Sequence, residues 1–285
     1  MQHYPESTLY VVATPIGNLA DISLRALYVL QQVDAIACED TRHTQTLLRQ
    51  YGVADKPLLA LHEHNEAQAA ALVIERLQRG ERVAYVSDAG TPAVSDPGAR
   101  LVAAAQAAGL RAMPLPGASS VTAALSVAGL AGGDHSSAFV FAGFLPSKAG
   151  ERDRAVQALA LESRAVVIFE APHRIEALAG ALAVLAVRPV TVSRELTKQF
   201  EEIATMPAQA LAAWLQATAT RTRGEFVLVL HPVASIEKPQ DSTRLLQLLM
   251  AELPLKTAVK LAADISGLGK NELYEAALKL KAPAP

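Results

Sequence analysis

Residues 83–98 read VAYVSDAGTPAVSDPG, a short apolar run followed at once by turn formers that carry two aspartates. The run 83–87 has the length and β-type composition of a strand, and Gly90, Pro92, Pro97 and Gly98 stop any regular element from continuing it. A loop of this kind presents backbone N–H groups and hydroxyls to a carboxylate or amino group. Paired aspartates suit an ammonium, so the stretch fits a ligand bearing an amino acid moiety. Working outward, the same strand-then-loop rhythm recurs at 9–13, 35–38, 111–115, 138–143, 165–170, 190–194 and 226–230. The alternation of β-type runs with amphipathic stretches predicts an α/β protein containing parallel strands. GEFVLVLHP, at 224–232, is a continuous Val/Leu run headed by Phe226, the pattern of a central strand buried on both faces.

Between the strands, a helix capped by Asn65 runs to Gly80, and a second follows Pro97 and ends at Gly109. Further helices are expected over 119–128, 151–160, 173–185 and 207–217. PLPGASS at 114–120 concentrates Pro and Gly and marks a boundary, so one α/β domain covers 1–115 and another 116–235. After the polar stretch 233–243, residues 245–253, 255–265 and 271–280 read as three short helices, a small helix-turn-helix-like domain over 241–285.

A length of 285 residues with 51% apolar composition supplies a sizeable core and excludes global disorder. The 26 basic and 28 acidic side chains give a net charge of −2, so there is no global footprint for naked nucleic acid and any RNA contact must be local or shape-dependent. One cysteine, Cys38, excludes a disulfide framework or a Cys-rich metal site and fits a reducing cytoplasm. No run approaches the ~18 apolar residues of a membrane span. The opening MQHYPEST lacks a basic then apolar pattern, so no secretory leader is expected.

The stretch 12–19, VATPIGNL, and the stretch 116–120, PGASS, are further Pro/Gly loops at strand ends, and Ser119 or Ser120 is placed to cap the helix that follows. Neither G-x-G-x-x-G nor G-x-x-x-x-G-K-[ST] occurs, and G-x-S-x-G is absent, which removes the usual dinucleotide, nucleoside-triphosphate and nucleophile-elbow classes. Charged clusters follow several strands: Glu39 to His43, His62 to Glu66, Glu170 to Arg174, and Arg194 to Lys198. Loops at strand ends that point the same way build one crevice, and this convergence argues for an enzyme. His62 and His64 alone are poor metal ligands, and no metal is expected.

TPIGNL (14–19), EDTR (39–42), SDAGTPAVSDPG (87–98), PGASS (116–120), FAGFLP (141–146), FEAPHRI (169–175), SRELTKQFEE (193–202) and GEFVLVL (224–230) together resemble the ribosomal RNA small-subunit methyltransferase I family, the ribose-methylating branch of the tetrapyrrole methylases. The resemblance runs in order along nearly the whole chain. It implies two α/β domains of the tetrapyrrole methylase type with S-adenosyl-L-methionine in the cleft between them, a small helical C-terminal domain, and a homodimer. The implied reaction is 2′-O-methylation of a cytidine in the decoding region of 16S ribosomal RNA within the small ribosomal subunit, in the cytoplasm. By motif, Pro15 falls in the first cofactor loop, Gly90, Thr91, Pro92 and Val94 in the second, and Ser119 and Ser120 in the third. Glu170 and Ala171 fall at a strand end that meets the adenosine, and Gly224, Glu225 and Phe226 in the last loop. Thr91 stands where most of the wider superfamily has Asp, which leaves Asp88 as the alternative partner of the cofactor ammonium.

A ribose hydroxyl is a poor nucleophile until its proton is removed, so a base is expected among Glu170, His173, Asp40, Glu195 and Lys198. Lys198 and Glu195 are favoured as an acting pair, with Arg42 and Arg174 holding phosphates of a flipped-out nucleotide. A lysine base requires a lowered pKa. The competing readings are a methyltransferase of the same superfamily acting on a tetrapyrrole or a protein, and a non-catalytic ribosome-assembly factor.

Overall fold

Burial of the first strand on both faces sets the plan of the molecule. In the computed structural model, which describes residues 3–53, 55–62, 65–130, 138–233, 239–266 and 268–281, strand β1 (Thr8–Val12) sends Leu9 into one apolar cluster and Tyr10 and Val12 into another. Such a strand needs a helical layer on each face. Helices α1 (Leu24–Gln32) and α2 (Thr41–Gln50) bring Ala26, Val29, Leu30 and Leu48 to the Tyr10 side. Helices α3 (Glu66–Gln78) and α4 (Ala99–Ala107) bring Val73, Leu77 and Leu101 to the Leu9 side. With β2 (Ala35–Cys38), β3 (Leu58–Ala60), β4 (Arg82–Val86) and β5 (Arg111–Leu115) they form a sheet of order β3-β2-β4-β1-β5, parallel throughout.

The second sheet is built differently. After α5 (Ser120–Val127) come β6 (Phe139–Phe144), α6 (Ala149–Ala160), β7 (Ala165–Glu170), α7 (Ile175–Leu182), β8 (Pro189–Arg194), β9 (Glu202–Pro207), α8 (Leu211–Gln216) and β10 (Phe226–Leu230), giving the order β6-β7-β10-β8-β9. Only β6 and β7 are parallel, and β10 runs antiparallel to both β7 and β8. The Val/Leu run is therefore central and buried, as its composition demands, but its direction is reversed. Val121 and Ala124 of α5 cover Val167, Val227 and Val229 on one face, while α7 and α8 cover Ile168, Val192 and Leu228 on the other.

Several expectations need correction. Strands β3 and β9 and helices α1 and α2 were not anticipated, and the span 207–217 is a strand end, a short 3-10 turn and α8 rather than one helix. Ser119 stands at the N-cap of α5 without a side-chain cap bond. Asn65 at the N-cap of α3 likewise does not cap it, because its amide instead accepts from the His62 N–H (2.8 Å) and donates to the Ala60 carbonyl (3.0 Å).

Both sheets fall in one compact unit, Met1–Val233, and the remainder, Ala234–Pro285, forms a second. There α9 (Pro239–Glu252), α10 (Leu255–Ser266) and α11 (Lys270–Lys281) pack around Leu246, Val259, Ala262, Leu273 and Ala277. No helix among the described residues is long and apolar enough to cross a membrane.

Candidate active site

The carboxyl ends of β1, β4 and β5 release three loops that are tied together by short-range bonds. Thr14 and Gly90 exchange backbone hydrogen bonds (2.9 and 3.1 Å), and the Thr91 hydroxyl donates to the Ala118 carbonyl (3.1 Å). Facing them are the ends of β7 and β8 and, because β10 is antiparallel, its beginning: Phe226 pairs in register with Glu170 on one side and Arg194 on the other. Between the two groups of loops lies a cavity of about 380 Å³.

Gly90, Thr91 and Val94 line this cavity from the first lobe; Ser119 and Ser120 at the start of α5, with Glu170, Ala171, Glu225 and Phe226, line it from the second. Sequence reasoning placed all nine at the site. Asp96, one of the two aspartates singled out in the 83–98 stretch, lines it too; sequence reasoning missed Ser193 and the aromatic wall of Phe144 and Phe169, whose rings meet edge to face with centroids 5.7 Å apart. The FAGFLP and SREL stretches contain the signal, since strand ends on the cleft side must line it. Pro15 and Asp88 line a neighbouring cavity instead, and Pro92 and Gly224 line neither.

Glu170 is fully buried. Its Oε1 accepts from the Ala171 N–H (2.8 Å) and pairs with Arg174 Nε at 3.0 Å, while Oε2, like the buried Ser193 hydroxyl, has no protein partner. Buried polar atoms without partners are rare, and two on the wall of one cavity mark where a polar ligand belongs. On the first lobe Glu39, Asp88 and Asp96 lie close enough to repel one another. Burial pushes the Asp96 carboxyl up from its ordinary value, and the negative charge of Asp88 adds to this. Glu39 is raised by burial and by Asp88 and Asp96. Such a cluster favours a cation, and a cofactor with a sulfonium, an ammonium and an adenine ring fits the donor set: carboxylates on one side, aromatic faces and orphaned oxygens on the other.

At the rim, Lys198 Nζ donates to Glu195 Oε1 (2.9 Å) and Glu225 Oε2 (3.0 Å), and Glu195 Oε1 also accepts from the Glu225 N–H (2.9 Å). The turn after β8 achieves this by holding Glu195 and Thr197 in left-handed conformations, φ 52° and 66°. Gly224 makes room: a Cβ there would stand 2.5 Å from Glu195 Cγ, and its φ of 91° is open to glycine at no cost. Burial by itself would lower the Lys198 pKa, but hydrogen bonds and charge from Glu195 and Glu225 outweigh it and hold the pKa above the ordinary value. For Glu195 burial pulls upward, and Lys198 with the Glu225 N–H brings the carboxyl below its usual range. Lys198 is thus held as an ammonium paired with two carboxylates.

The remaining candidates separate clearly. Arg174 is turned into the lobe, bonded to the Leu145 carbonyl and paired with Glu170, with its side chain 22% exposed. Arg42 is 91% exposed and, among the described residues, pairs with Asp40 alone (3.1 Å), whose carboxylate also caps α2. His173 is exposed and lines neither cavity. His64 lies outside the described residues, and among those described no group of three or more His, Cys, Asp or Glu side chains is placed to hold a metal.

A sequence model described as Tetrapyrrole (Corrin/Porphyrin) Methylases matches residues 8–212, and one described as the RsmI C-terminal HTH domain matches 237–281. The fold is similar to that of a cobalt-precorrin-4 methyltransferase of cobalamin biosynthesis (TM-score 0.59, 19% identity, 78% of this chain and 94% of that one). It is also similar to diphthine synthase (0.59, 17%, 79% and 90%) and to a Thermus thermophilus uroporphyrin-III C-methyltransferase complexed with S-adenosyl homocysteine (0.53, 17%, 79% and 97%). Proteins named ribosomal RNA small subunit methyltransferase I are far more similar in sequence. That of Escherichia coli O157:H7 is 47% identical over 96% of both chains, and that of Pseudomonas aeruginosa 48% identical over 95% of this chain and 97% of its own. The chain belongs to the tetrapyrrole methylase family and, within it, to the ribosomal RNA small subunit methyltransferase I group, whose cofactor is S-adenosylmethionine.

Proposed function

We propose that this protein methylates the ribose 2′-hydroxyl of a cytidine in the decoding region of 16S ribosomal RNA, with S-adenosylmethionine as donor. The observation that carries the reading is the inter-lobe cavity with its two unpartnered buried oxygens, opening beside a fixed ammonium–carboxylate network. The names of the near-full-length relatives supply the RNA. When bound, the cofactor supplies a methyl group on a sulfonium, so that an O–CH₃ bond forms as an S–CH₃ bond breaks and the hydroxyl proton passes to a base.

Glu170 and Ser193 hold polar groups of the cofactor, Phe144, Phe169 and Phe226 offer faces to its adenine, and Asp96 holds its ammonium. Glu225 lines both cavities and has a 77% exposed carboxylate, which takes the hydroxyl proton. Lys198 steadies the negative charge that develops on the ribose oxygen, and Glu195 positions Lys198. With a net charge of −2 the protein is poorly suited to free RNA, so its substrate is the folded small subunit. It works in the cytoplasm as a homodimer, and its domains divide as 1–115, 116–235 and 241–285.

The test is transfer of labelled methyl to small subunits that lack the modification, followed by nuclease mapping. Label in one 2′-O-methylcytidine of the decoding region is expected. Label confined to protein or to a tetrapyrrole overturns the reading.

A further inference from the structure

The cofactor cavity has a neighbour. A second cavity of about 330 Å³ shares Ile16, Ala89 and Glu225 with the first, so the two stand back to back with the Glu225 carboxylate at the junction. Its other polar groups come from three elements that share no sequence motif: His43, Thr46 and Gln50 on α2, Asp88 after β4, and Lys198 after β8. We infer that this cavity seats the acceptor nucleotide and that Asp88 reads the exocyclic amine of its base. The inference rests on the RNA-methylating reading above.

A carboxylate only accepts hydrogen bonds. Asp88 Oδ1 takes one from the Asp40 N–H (3.1 Å), which fixes the group while leaving acceptor capacity on both oxygens. A base edge that presents an amine, as cytosine does, complements it, whereas the carbonyl of uracil at the same place sets oxygen against oxygen. Gln50 adds a donor for the ring acceptors beside that amine. Lys198 spends two of its three N–H donors on Glu195 and Glu225, and the third is left for a ribose or phosphate oxygen.

The first lobe also sets where that ammonium stands. A Cβ at Gly17 would lie 2.4 Å from Lys198 Cγ and 2.9 Å from the Thr197 hydroxyl, which itself accepts from the Asn18 N–H at 3.2 Å. A loop of one lobe therefore seats the cation of the other against the second cavity. At the N-terminal end of α2 the exposed Arg42 suits a flanking phosphate.

The experiment compares two small-subunit substrates, one with the native cytidine and one with uridine in its place. It measures kcat/KM for methyl transfer by the wild type and by Asp88→Asn, with cofactor affinity followed by calorimetry. An asparagine can turn its amide to suit either base. The wild type is expected to favour cytidine, and Asp88→Asn to reduce that preference roughly ten- to hundred-fold, the worth of one base-edge contact, with cofactor Kd changed less than two-fold. Gln50→Ala, on an exposed position of α2, is expected to raise KM for the subunit several-fold at the same cofactor Kd. Unaltered preference in Asp88→Asn, or loss of cofactor binding in place of it, overturns the assignment of this cavity. If Asp88→Asn fails to fold, an unchanged KM in Gln50→Ala overturns it. A wild type that labels no RNA overturns the underlying reading as well.

Discussion

The two sheets face the same cleft and contribute to it in different ways. In the first, five parallel strands deliver loops whose backbones bond to one another, and what they offer a ligand is largely main chain, small side chains and a knot of carboxyl groups. In the second, the reversed central strand brings the start of β10 beside the ends of β7 and β8, so Glu170, Glu195, Lys198 and Glu225 meet within a few residues of one edge. A wholly parallel sheet has its ligand loops at strand ends only. Reversing one strand adds a strand beginning to those ends, and the result is a lobe that supplies a paired ammonium opposite a lobe of main chain, small side chains and carboxyl groups.

The strongest attack on that division is Lys198→Met. Loss of one preorganised charge is expected to lower kcat by roughly 10²–10³-fold with cofactor Kd nearly unchanged. Gly17→Ala is the matching change in the first lobe, and a comparable fall in kcat would show that shape on one side serves charge on the other. The pH profile sharpens the point. The Lys198 pKa is raised, so what its pairing contributes is complete below the ordinary lysine value and is lost only as pH rises through the raised one. Glu195 is lowered, so its share is complete above the ordinary carboxylate value and is lost as pH falls through the lowered one. Between about pH 5 and pH 9 the pair should hold its full worth in a melting series.

Glu170→Gln comes next, because it leaves Arg174, only 22% exposed, without its counter-charge. A cost of about 3 kcal/mol in denaturant unfolding is expected, with weaker cofactor binding. Asp96→Asn should act in the opposite direction on the free protein. A carboxyl whose folded pKa is raised destabilises the fold once pH exceeds its unfolded value of about 3.9, so its removal raises the melting temperature at neutral pH while weakening cofactor binding about ten-fold. Arg42→Ala is the mildest: binding to the small subunit should weaken a few-fold, with the slope of log affinity against log salt reduced by about one.

Strands made of continuous Val, Ile and Leu were readable because burial on both faces leaves no other composition open to them, and most helices with apolar periodicity were nearly as plain, although α1, with its Ser23 cap, was missed. β3, three residues behind Pro57, is too short to show a period. β9 alternates on an exposed edge, and the TRHTQTLLRQ of α2 is too polar to announce a helix. The direction of β10 leaves no mark in its own residues, because only the pairing partners decide it. At the site, Gly- and Pro-rich loops were visible as a set, whereas Ser193 and Phe144 look ordinary until the sheets bring them to the cavity wall. Lys198 was found, but its charge state depends on Glu225, twenty-seven residues further along the chain. Asp88 was found too, yet which of two adjacent cavities it serves is a matter of geometry alone.

Ala93 and Ser95 in the loop after β4, and Glu195 and Thr197 in the turn after β8, all have left-handed backbones, with φ between 52° and 66°. Each costs on the order of 1–2 kcal/mol relative to a relaxed residue. A ligand that spans both banks stabilises the folded state, by about 2.7 kcal/mol at a hundred times its dissociation constant, so resistance to limited proteolysis is expected to rise as S-adenosylmethionine is added.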